Sequence, residues 1–115
     1  MTPADRFAIE PGTRADYRAL ARFHYRAGEP ATIVRVLRAI DHERSLLGGV
    51  LVVSMPTLNG GWRELAWPGR YGRGDRRQQV RRINDELRCL SRVVIDPRVR
   101  GIGLAVRLVR AYLAE

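Results

Sequence analysis

The sequence predicts an α/β or α+β domain in which helices flank a mixed, mostly antiparallel central sheet. Three observations lead there. A continuous apolar run, GGVLVVSMP at 48–56, ends at a proline, as a strand covered on both faces does. A second apolar run ends in Asp96-Pro97 and passes through RGIGLA into a stretch with helical spacing. Elsewhere the apolar period switches between two and roughly 3.6, so strands and helices follow one another along the chain. The expected order is strand, helix, strand, strand, helix, strand, helix.

Taken in order, RFAIE (6–10) alternates and Pro11-Gly12 stops it, giving a short strand. Thr13 occupies the cap position of a helix. The helix's apolar residues Tyr17, Leu20, Ala21 and His24 or Tyr25 recur at helical spacing, and Gly28 follows its end. ATIVRVLRAI (31–40) is rich in β-branched residues and reads as a strand that pairs with 48–56 as a hairpin. Residues 57–74 contain a proline, both tryptophans and many glycines without a sustained period, a long loop with a short strand at 62–66. Asp75 can cap a helix running to about Leu87, with Val80, Ile83 and Leu87 in one narrow stripe beneath charged neighbours. RCLSRVVID (88–96) is the next strand, closed by Pro97. Leu104, Leu108 and Tyr112, with Ala105, Val109 and Leu113, then form two adjacent rows of a last helix that leaves Arg107 and Arg110 outside.

A chain of 115 residues, 45% apolar, fits a single domain spanning 1–115 and excludes disordered and low-complexity classes. The net charge of +9 raises nucleic acid or an acidic membrane surface as a partner. All 21 basic residues are arginine, however, a bias that enriches any surface in charge whatever its function. Cys89 is the single cysteine, which excludes an internal disulfide, and with only His24 and His42 beside it no zinc spacing exists, so no metal is expected. No run approaches the ~18 apolar residues of a membrane helix, and MTPADRFAIEPG lacks the apolar core of a secretory signal. A soluble, cytoplasmic protein is the expectation.

The stretch VVIDPRVRGIGLAVRLV carries the chemistry. The first amides of a helix have no intrahelical acceptor and sit at the positive end of its dipole, so an anion there satisfies both. Gly101 and Gly103 remove the Cβ atoms that would hold a ligand away, so amides from Arg100 to Ala105 can point at phosphate oxygens, with Arg98 and Arg100 adding charge at the rim. The alternative is a tight strand-to-helix turn that uses glycine only for backbone freedom. A Walker loop is excluded because the chain has no lysine, and a Rossmann fingerprint fails because position 106 is valine and no acid follows at its usual distance.

On Arg100, Gly103 and Ala105, with Gly101 and the preceding Asp96-Pro97, the stretch resembles motif A of the GCN5-related N-acetyltransferases (GNAT superfamily), whose pyrophosphate loop reads Arg/Gln-x-x-Gly-x-Gly/Ala. The resemblance implies the acyl-CoA N-acyltransferase fold and a domain that transfers an acyl group directly from acetyl-CoA, the co-substrate, to an amine acceptor. It implies that Val93, Val94 and Ile95 pair with the pantetheine arm and that Arg100, Gly101, Ile102, Gly103, Leu104 and Ala105 hold the pyrophosphate. More narrowly, FHYRAGEPAT and ELRCLSRVVIDPRVRGIGLA are similar to the acetyltransferase-like part of proteins that carry it fused to an ABC-type ATPase. In the family a fifth strand follows, then a helix that often supplies a tyrosine as general acid. This sequence ends before both, so an incomplete or degenerate domain, truncated after the motif A helix, is expected.

Acyl transfer also needs a base for the amine. His24 is the candidate because histidine is the side-chain type suited to proton transfer near neutral pH, the alternative being that His24 and Tyr25 close the first helix and pack beneath the sheet. Cys89 can be read as a nucleophile or as a small buried hydrophobe. Trp62, Trp67 and Tyr71, near Arg70, Arg73, Arg76 and Arg77, offer a rival function, a basic nucleic-acid or partner-binding module, or else a solvated loop.

Overall fold

The computed structural model describes residues 2–26, 28–58 and 61–115. The fold is α+β, with four helices and a four-stranded sheet whose neighbours are all antiparallel, so the expected mixed sheet is corrected: no parallel pair occurs among the described residues. The elements are β1 (Ala8–Pro11), α1 (Arg14–Leu20), β2 (Arg35–Asp41), β3 (Leu46–Ser54), α2 (Trp62–Ala66), α3 (Arg76–Glu86), β4 (Cys89–Ile95) and α4 (Leu104–Leu113), and the sheet order is β1-β2-β3-β4. The chain divides into two compact units, residues 1–54 with 90–115, and residues 55–89.

In the first unit the apolar run of β3 is buried along nearly its whole length, because each face of the sheet carries a helix. Leu51 and Val53 face α4, where they pack with Leu37, Ala39, Leu104 and Leu108. Val50 and Val52 face α1, with Tyr17, Leu20, Val36 and Val94. Each of the buried Leu and Val side chains stabilises the fold by roughly 1.5–3 kcal/mol. Between Ala39 and Ile40 the β2/β3 register shifts, so Gly48 is the extra residue of a bulge. A Cβ at Gly48 would lie 2.5 Å from the ring of Phe7 and 3.1 Å from Leu104, so glycine lets both approach the strand. β4 lies beside β3, with Asp96 N–H donating to the Gly48 carbonyl at 2.9 Å and the hydroxyls of Ser54 and Ser91 2.6 Å apart.

Several boundaries differ from those expected; β2, for one, begins at Arg35 rather than at residue 31. The first strand starts later, because Pro3–Arg6 coil into a 3₁₀ turn and Phe7 enters the core. α1 stops at Leu20, passes through a 3₁₀ turn Ala21–Phe23, and His24 is already extended. Three rings in a row, Phe23, His24 and Tyr25, cannot all lie on one helical stripe. Tyr25 instead stands exposed, stacked on a half-buried His24 at 4.5 Å, so Tyr25 does not pack beneath the sheet. Leu113, expected in the buried rows of the last helix, is exposed.

The second unit holds the largest correction. The expected strand at 62–66 is one turn of helix, α2, with Trp67 N–H donating to the Arg63 carbonyl at 2.8 Å. The buried Arg63 guanidinium holds it by donating to the Thr57 carbonyl, whereas Leu65 points outward. The α3 helix begins as the sequence predicts: the Asp75 carboxylate accepts from Gln78 N–H at 2.8 Å and Gln78 accepts from Asp75 N–H at 3.0 Å. Ile83 is its buried residue.

Candidate functional site at the open edge of the sheet

β4 ends where Pro97 brings no N–H to the ladder, and the buried Asp96 carboxylate turns the chain by accepting from Arg98 N–H at 2.9 Å. After the 3₁₀ turn Pro97–Val99, Gly101 and Gly103 take φ of +82° and +89°, the left-handed region that side chains resist. No atom lies within 4 Å of a Cβ built on either, so these glycines serve the backbone path and face open space. Gly103 caps α4 without a side chain, and the first turn of α4 carries no acid. The amides of Leu104, Ala105 and Val106 find no protein acceptor among the described residues.

These amides open on a cleft of about 460 Å³, within the range of small-molecule sites. It is lined by Val93, Val94 and Ile95 of β4, by Leu104, Ala105 and Val106 of α4, by Val99, Arg100, Gly101 and Gly103 of the turn between them, and by Phe23. β4 is the edge of the sheet. Because Asp96 N–H points to β3, alternation turns the backbone groups of Ile95 and Val93 to the unpaired side, and the Ile95 carbonyl accepts there from Arg100 Nε at 3.3 Å. The cleft thus joins an unpaired strand edge to an uncapped helix start.

The structure brings together every cofactor-binding residue expected from the sequence except Ile102, which packs against the core on the α4 face of the sheet. Arg98 also departs from expectation. Its guanidinium folds back on Asp96, Nη2 to Oδ2 at 2.8 Å, rather than adding charge at the rim of the cleft. Hydrogen bonding from Arg98 holds the Asp96 carboxyl below the usual carboxylate range, against the burial that would raise it. Arg100 is the cation that lines the cleft.

His24 sits outside the cleft lining, in a separate hollow with Tyr17, Arg22 and Tyr25. Its Nδ1 accepts from Arg26 N–H at 3.1 Å, so the neutral ring carries its proton on Nε2 and offers a donor, not a base, on its free side. Cys89 is exposed, which corrects the buried reading of it. The cleft residues that sequence reasoning missed are Phe23, Val99 and Val106. Half-exposed Val106 had a signal, since a large apolar residue outside the buried rows of a helix asks for a partner. Arg92, also unforeseen, is buried on β4 with its Nε without a partner among the described residues.

Among the described residues, no helix is long and apolar enough to cross a membrane and no three His, Cys, Asp or Glu side chains gather as a metal site. Neither protein-family models, nor curated proteins, nor solved structures contain a match to this chain.

Proposed function

We propose that this chain is an acyl-CoA-binding domain of the GCN5-related N-acetyltransferase type, which passes the acyl group to an amine. One observation carries the reading: unpaired amides at the start of α4 and the unpaired edge of β4 open on the same cleft. A pyrophosphate bridged to an extended amide-containing arm has matching chemistry. Its negative oxygens suit the amides of Leu104 to Val106 and the Arg100 guanidinium. The pantetheine arm, with two amides, adds to the backbone of Val93 and Ile95 as a short strand would.

Transfer then requires the amine nitrogen to attack the thioester carbonyl, forming C–N while C–S breaks. The amine gives a proton to a base and the thiolate takes one up. An outward amide of β4 would donate to the carbonyl oxygen as charge develops. His24 serves as the base only once Nδ1 is released from Arg26 N–H, so the 24–26 turn would have to open.

Thermal unfolding tests the binding. Acetyl-CoA at tenfold its Kd should stabilise the protein by about 1.4 kcal/mol and raise Tm by roughly 5–10 °C. Pantetheine, which lacks the pyrophosphate, should do much less. The cleanest variant is Ala105→Glu, because an acid in the first turn of a helix suits the dipole but repels a pyrophosphate. Gly103→Asp is less clean, since φ of +89° strains any side chain there. No shift at millimolar acetyl-CoA with folded protein would refute the proposal.

A further inference from the structure

The second unit carries a surface of different chemistry. Trp62 and Trp67 are 50% and 41% exposed, their rings edge to face at 5.9 Å, and Trp67 meets Tyr71 in the same way at 5.8 Å. Arg70 lies 5.9 Å from the Tyr71 ring and, with Pro68, leads into a hollow of about 440 Å³ shared with Arg73 and Arg82. Two of these arginines are held in place: Arg70 by Glu86 at 2.5 Å, and Arg82 by the carbonyls of Arg70 and Arg73 at 2.8 and 3.3 Å. The exposed guanidinium groups of Arg73, Arg77 and Arg81 have no hydrogen-bond or ion-pair partner among the described residues. Arg77 and Arg81 lie four apart on α3, hence on one face.

We propose that this surface binds single-stranded nucleic acid, with bases stacking on Trp62 and Trp67 and phosphates on Arg73, Arg77 and Arg81. Exposed indoles cost free energy in water unless something covers them, and the flat apolar faces of unpaired bases are the partner that also brings the matching charge. A duplex hides those faces. An acidic peptide supplies charge without them. α2 is a single turn, too short to lay an amphipathic face on a lipid surface, while two of the free arginines, Arg77 and Arg81, lie on another helix, α3. The proposal is independent of the acyl-CoA reading.

Both tryptophans of the chain lie on this surface, so intrinsic fluorescence reports on it directly. The full chain is titrated with single-stranded 12-mers of RNA and of DNA, with the matching duplex, with polyglutamate and with phosphatidylglycerol vesicles. Either single strand should quench the emission in the micromolar range at low salt, with affinity falling as salt rises. Trp62→Ala with Trp67→Ala, read by anisotropy of a labelled strand, should weaken binding by about fivefold to hundredfold per lost stack. Arg73→Gln, Arg77→Gln and Arg81→Gln together should lower the slope of log Kd against log salt by about 2. Ala105→Glu should bind the strands as the parent does. Absence of quenching, equal binding of the duplex, or an unchanged salt slope in the arginine variant would each overturn the proposal. A response to polyglutamate or vesicles alone would overturn it in favour of an acidic protein or a membrane.

Discussion

Two helices of the first unit each follow a strand that ends at a proline, and they begin in opposite ways. At α1 the chain supplies its own anion: Asp16 accepts from Thr13 N–H at 2.7 Å, and its carboxylate sits on the first turn. At α4 a glycine stands at the cap, no acid follows, and the first amides stay unsatisfied over a cleft. The same local physics that makes α1 self-contained leaves the first amides of α4 to water or to a bound anion. A helix start with glycine in place of a side-chain cap gives up about a few tenths of a kcal/mol. A glycine in the left-handed region adds the loss of backbone entropy to that cost. Where both occur beside an open strand edge, an anion with an extended arm would meet donors already in place.

The comparison can be broken most directly by giving α4 the solution α1 uses. Ala105→Glu should lower acetyl-CoA affinity by at least about a hundredfold in calorimetry, through like-charge repulsion in a partly desolvated cleft, while the unliganded Tm holds or rises slightly. An unchanged affinity would mean that α4's open amides are incidental. Asp96→Asn should cost about 2 kcal/mol in urea unfolding, because the buried carboxylate that turns the chain into the site loses its charge-assisted bonds. The pH dependence follows with its sign. The folded carboxyl titrates below its unfolded value, so its stabilisation is complete above the ordinary carboxylate range and is lost as pH falls through the lowered folded value. Parent stability should therefore fall more steeply than that of Asp96→Asn below about pH 4.

Smaller effects sharpen the contrast. Gly103→Ala should destabilise by about 1–2 kcal/mol through left-handed strain, with Gly103→Asn milder because asparagine tolerates that region. Asp16→Ala should cost about 1 kcal/mol in thermal unfolding and leave acetyl-CoA binding untouched. If it weakens the ligand as strongly as a change at Ala105, the two helix starts are not functionally distinct.

Much of this contrast was legible in the chain because it rests on local chemistry. The glycines at 101 and 103 announced the left-handed path, Asp96-Pro97 the end of the strand, and Asp75 the start of α3. What failed was whatever depends on direction or on distant partners. Periodicity cannot tell that Ile102 turns to the core while its glycine neighbours line the cleft, or that Arg98 folds back on Asp96. Phe23 comes to the cleft from seventy residues away along the chain, bringing a wall that no local pattern encodes. The strand expected at 62–66 failed because Trp62 and Leu65 are apolar without being buried, so they mark a surface and not a sheet.

The missing side chain at Gly48 has a reach beyond its own strand. The start of α4 rests where Leu104 can settle against the bulge of β3, and the height of that seat is set by an absent methyl group. Any larger residue at 48 would have to displace the Phe7 ring and press on the Leu104 side chain in the first turn of α4. Position 48 thus acts as a gauge block for the site: it touches no ligand, yet sequences that change it would inherit a different grip.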